Sequence, residues 1–191
     1  MTPRERILAT LNREVPDRTP TDGWFHHEVQ ERLMDHYKTG NWQEVLHELG
    51  VEGWADCGPW LEFPEYRARA TERPGPEPGR KAIWLDERTY EDPWGVRHRT
   101  GEGGWYEEWV GGPLVDAQTA ADIELYQMPT VDRIREPDDY AGQVANMKEH
   151  GLFVSAGIPN PYKRAWLLRG MDNGLADYLI NRDLLEALYD R

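Results

Sequence analysis

Apolar residues recur at helical spacing through the first fifty positions, interrupted by Pro and Gly. Ile7, Leu8 and Leu11 form one stripe behind Thr2-Pro3-Arg4-Glu5. There Thr2 and Glu5 have the spacing of a capping box, and Pro3 takes the first helical position. Residues 15–18 end this helix, and the short Pro- and Thr-containing stretch 18–25 predicts a first strand. Val29, Leu33 and Tyr37 share one face of a helix expected over 27–37. Asn41 caps the next helix, with Glu44 three residues on, Leu46 and Leu49 inside, and Gly50 as a left-handed stop. Residues 51–55 predict a second strand, ending at Asp56-Cys57-Gly58-Pro59. Helix, strand, helices, strand is the order of βα units and implies a parallel sheet.

The middle of the chain changes period. Residues 73–79 (Arg-Pro-Gly-Pro-Glu-Pro-Gly) predict a loop. Segments 82–86, 89–91, 95–99 and 105–110 alternate between turn residues and predict antiparallel hairpins, inserted over about 80–112 between the βα units. Such an insertion suits a lid or a contact surface, with Arg97, His98 and Arg99 expected mainly in solvent. Helices are expected over 116–126 and 137–150, the second ended by Gly151. Leu152-Phe153-Val154-Ser155-Ala156 is apolar enough for a buried third strand. A helix then starts at Pro161 and runs to about Ile180, and Asn181 caps a last one through Tyr189. The whole chain reads as a single incomplete domain, 1–191.

Charge and composition narrow the function classes. A formal charge of −13 argues against nucleic acid, whose phosphates need a positive face. It also disfavours a ligand with several carboxylates unless Arg side chains gather locally. Cys57 is the sole cysteine, so no internal disulfide is expected, which fits a reducing cytoplasm. Residues 1–13 lack the apolar core of a signal peptide, and no apolar run approaches the roughly 20 residues of a membrane span. A cytoplasmic protein is therefore expected, with neither nucleic acid nor membrane as partner. Nine Trp and nine Tyr against three Phe fit a ligand groove or subunit interface, although ordinary packing accounts for most of them.

Three segments together resemble a known family. Residues 2–11 (Thr-Pro-Arg-Glu-Arg-Ile-Leu-Ala-Thr-Leu) followed by Pro16-Asp17-Arg18-Thr19-Pro20, then Tyr90-Glu91-Asp92-Pro93-Trp94-Gly95-Val96, then Ala165-Trp166-Leu167-Leu168-Arg169-Gly170-Met171-Asp172-Asn173 with residues 181–188 behind it, occur in family order. They resemble the first half of uroporphyrinogen decarboxylase-like proteins. The resemblance implies an α/β fold: the N-terminal half of a TIM-type (βα) barrel, with its site at the carboxyl ends of the strands. At 191 residues the chain is short for the about 250 of a closed barrel. Completion is therefore expected from a homo-oligomer or from a second chain that supplies the rest of the barrel.

Two enzymatic branches of that family lead to different expectations. The decarboxylases carry an Arg-rich motif after the first strand, where this chain has Trp24-Phe25-His26-His27-Glu28 and no Arg before Arg32. Guanidinium forks are what hold a poly-carboxylate in place, so porphyrinogen decarboxylation (a lyase reaction) is the alternative rather than the leading reading. The family's catalytic Asp has a match in Asp56, and its helix Tyr falls on Trp166. The methyltransferase branch uses zinc held by His and Cys to activate a thiol, with those ligands in the second half. This chain has no Asp-x-His-x-x-Gly corrinoid-binding motif, so a corrinoid would arrive on a partner protein. A non-catalytic half-barrel that binds itself or a partner through its open sheet edge is a further reading.

Candidate site residues follow from the expected strand ends. Asp56 and His26 are the catalytic candidates. A carboxylate there can move a proton or only cap the Gly58-Pro59 turn. Trp24, His27 and Cys57 stand beside them as substrate-binding candidates, as do Asn160, Tyr162 and Trp166 after the third strand. Cys57 taken alone reads as a small buried residue rather than a nucleophile. No pair of residues here has a diagnostic metal-ligand spacing, so no metal site is assigned within the chain.

Overall fold

The computed structural model describes residues 1–52, 54–57, 61–75, 81–104, 106–131, 137–157 and 160–191, with the backbone alone at Trp54, Asp56 and 137–139. Two compact units result, one made of residues 1–60 and 135–158, the other of 61–134 and 159–191.

In the first unit, α1 (Pro3–Leu11) starts as its sequence dictates. Thr2 Oγ1 accepts from the Glu5 amide at 3.2 Å, and the Glu5 carboxylate accepts from the Thr2 amide at 2.8 Å. The face of α1 that turns inward carries Ile7, Ala9 and a charged residue, Arg6. Arg6 is tolerated there because its guanidinium is fully engaged: Nε donates to Asp17 at 2.6 Å and Nη1 to Glu52 at 2.6 Å. Next come α2 (His27–Tyr37) and α3 (Trp42–Glu48), the latter capped by Asn41 accepting from the Gln43 amide at 3.0 Å. Val45 and Leu46 of α3 are buried, whereas no residue of α2 is. Later in the chain α6 (Pro137–Glu149) turns through Gly151, at φ 69°, into β6 (Phe153–Ser155). That strand pairs in parallel with β1 (Trp54–Asp56), Trp54 opposite Phe153 and Asp56 opposite Ser155.

The second unit is organised by an antiparallel sheet in the order β2-β3-β4-β5: Ile83–Trp84, Thr89–Glu91, Arg97–Thr100 and Glu107–Gly111. Its turns are closed by aspartates. Asp86 Oδ1 accepts from the amides of Arg88 and Thr89, and Asp92 Oδ1 from those of Trp94 and Val96, with Gly95 at φ 72°. Helices α4 (Pro64–Arg69), α5 (Ala120–Leu125), α7 (Pro161–Arg169), α8 (Met171–Ile180) and α9 (Arg182–Tyr189) complete this unit. Its core gathers Val96, Leu114, Ile123, Leu168, Leu184 and Leu188. Trp109 of β5 donates its indole N–H to the Leu167 carbonyl at 2.8 Å and so fastens the sheet to α7.

The expected half of a βα barrel is not what these residues form. Among the described residues the parallel component is β1 and β6 alone, and the larger sheet is antiparallel and open rather than an insertion between barrel strands. The missing strand is 18–25. Pro20 has no N–H to give, and the Thr21 amide goes to the Glu52 carboxylate at 2.6 Å instead of to a neighbouring backbone. Residues 153–155 are half-buried, not enclosed as an apolar strand within a barrel would be. The helix expected to run from Pro161 to about Ile180 breaks at Gly170, whose φ of 84° is left-handed. Asn181 does not cap α9; its side-chain amide donates to Asp177 at 3.0 Å.

Candidate functional site

The carboxyl end of the β1–β6 pair is where the sequence places its catalytic carboxylate. Asp56 ends β1 opposite Ser155, and the Cys57 amide donates to the Ser155 carbonyl at 2.8 Å. That bond carries the parallel register one residue past β1 and fixes the direction of the chain leaving it. Cys57 is buried and free.

Trp24, His26 and His27 gather just before and at the start of α2. The His26 and His27 rings lie 4.1 Å apart, and Trp24 meets His26 edge-on at 6.4 Å. Trp24 is 86% exposed, so the indole presents its face to solvent. Phe25 turns the other way and meets Trp42 of α3 at 5.3 Å, while its carbonyl accepts from the Gln30 side chain at 2.8 Å. Alternation along 24–26 thus turns Phe25 inward as an anchor, while Trp24, His26 and His27 stay together on the other side.

Asn160, Tyr162 and Trp166 belong to the second unit. Asn160 Oδ1 caps α7 by accepting from the Lys163 amide at 3.2 Å. Trp166 packs against the core and also against Gly174, where an added Cβ would come within 3.0 Å of the Trp166 Cβ. Tyr162 is partly exposed and its ring lies 5.8 Å from that of Tyr178, which is hydrogen-bonded to Tyr189. Burial, reinforced by that bond, pushes the Tyr189 hydroxyl well above its ordinary range. Ile158 and Pro159, between the third strand expected over 152–156 and Asn160, lie outside the described residues.

Two features escaped the sequence reading. One is the set of charges around Asp92, whose Oδ2 meets Arg164 Nη1 at 3.1 Å and His98 Nε2 at 3.5 Å. His98 also stacks on Tyr90 at 5.1 Å, and Arg164 lies 4.8 Å above the Trp94 ring. His98, expected in solvent, is half-buried for this reason. Burial, with the Asp92 charge adding to it, pushes the nearby Tyr126 hydroxyl up to about 12. The other feature is an apolar stripe on α8. Met171, Leu175, Tyr178 and Leu179 fall at i, i+4, i+7 and i+8 on one side, bordered by buried Gly174 with buried Asp177 beyond it. Leu179 is 85% exposed, and Ile180 beside it 74%. The spacing was legible; its outward direction depended on knowing that Gly174 and Asp177 face in.

Among the described residues no three His, Cys, Asp or Glu side chains come together as metal ligands, and no helix is long and apolar enough to cross a membrane. No protein-family model, no curated protein and no solved structure matches the chain.

Proposed function

We propose that this chain is an association-dependent component of a uroporphyrinogen decarboxylase-like enzyme of the methyl-transfer type, docking through α8 onto a second chain that carries the remaining catalytic residues. The observation behind this reading is the apolar stripe of α8, left in solvent while α7 and α9 of the same unit bury Leu167, Leu168, Leu184 and Leu188. Taking a Leu from full exposure to full burial is worth about 1.5–3 kcal/mol. Association itself costs about 4–15 kcal/mol, so the stripe needs its flanks, Tyr162, Tyr189 and Ile180, to hold a partner. Asp56, at the end of the parallel pair, is this chain's contribution to proton transfer in that assembly, and the Trp24–His26–His27 group is its contribution to substrate contact.

Methyl transfer is favoured over porphyrinogen decarboxylation by the fate of the arginines. Arg6 and Arg18 both bind Glu52, at 2.6 Å each, and Arg6 binds Asp17 as well. Neither is left to clamp a substrate's carboxylates. The zinc and the corrinoid that the resemblance implies would come with the second chain and a corrinoid protein. No ligand set for zinc stands among the described residues. A non-catalytic self-associating role is the second reading, favoured by the same stripe.

The test is reconstitution with the C-terminal half of a corrinoid-dependent methyltransferase of this family. Thiol-dependent loss of the methyl group of methylcobalamin should need both chains and should vanish in Leu175→Asp/Leu179→Asp. A complex that forms but transfers no methyl group overturns the enzymatic reading and leaves the self-associating one.

A further inference from the structure

We draw no further inference here: the strongest candidate, the open groove of about 510 Å³ between α2 and α3 lined by Tyr37, Thr39, Gln43, Glu44, His47 and Glu48, is an acidic cluster whose Glu44 is already bonded to Thr39 and Asn41, and nothing else among the described residues points to a ligand there.

Discussion

Arg169 and Asp177 face each other across the Gly170 break as a two-pronged ion pair, Nε to Oδ2 at 2.7 Å and Nη2 to Oδ1 at 3.2 Å, both side chains buried. The same guanidinium donates to the carbonyls of Leu114 and Ala117, so one side chain closes the helix junction and the loop after β5 together. Removing Arg169 alone would strand a buried carboxylate and orphan two carbonyls. Arg169→Ala should therefore lower unfolding free energy by about 3–5 kcal/mol, read from the urea midpoint. Arg169→Met with Asp177→Leu should recover part of that loss, because no charge is then left unpaired. A single variant as stable as the parent would show that the pair does not hold the junction.

Acid should weaken the fold through three carboxylates. Bonds from Arg6 hold Asp17 well below its ordinary range. Glu52 and Asp177 are pushed up by burial but pulled further down, Glu52 by the Thr21 amide and hydroxyl and by Arg6, Asp177 by Arg169 and Asn181. A depressed carboxylate contributes stability that is intact above its unfolded value, 4.5 for Glu and 3.8 for Asp, and lost as pH falls through the folded value. Relief of the −13 self-repulsion acts the other way between pH 7 and the pI near 4.9, so the loss is read below pH 4. Melting temperature should fall steeply there, and less steeply in Glu52→Gln. A profile that is flat from pH 4 to pH 2 would contradict this account.

Two glycines should respond in opposite directions. A Cβ on Gly112 would collide with the carbonyls of Leu167 and Leu168, which are backbone and cannot swing away. Gly112→Ala should cost at least about 1–3 kcal/mol. Gly142 lies inside α6 with nothing near its missing Cβ, so Gly142→Ala should stabilise by about 0.5–1 kcal/mol. Differential scanning calorimetry of both variants checks the pair, and equal effects would mean that the close approach at Gly112 is absent in solution.

Local signals were the legible part of this sequence. The Thr2–Glu5 box, the Asn41 cap and the left-handed glycines Gly50 and Gly151 are settled within a few residues, and each is found where the sequence puts it. Residues 18–25 were not legible, because a strand exists only if a neighbour supplies a ladder, and Glu52 takes the Thr21 amide first. Apolar positions keep helical spacing across Gly170, from Leu167 and Leu168 to Met171 and Leu175, so periodicity alone carries a helix through it; only its φ shows the break. Asn181 has the residue type of a cap but is held by Asp177, eleven residues after Trp166 has turned inward. Asp56 and Cys57 were placed at a strand end by reading 51–55 as a strand, and β1 does end at Asp56. The α8 stripe was missed because which side of a helix faces solvent is set by tertiary packing.

The most direct test of α8 as a docking surface is the mass of the chain in solution, by sedimentation equilibrium over a range of micromolar concentrations. Alone or mixed with the reconstituting half, the parent chain should exceed its monomer mass of 22.2 kDa in a concentration-dependent way. Leu175→Asp/Leu179→Asp should return it to that mass without lowering the unfolding midpoint, since both side chains already face water. A parent chain that stays at 22.2 kDa at every concentration and does not bind the reconstituting half would contradict the account.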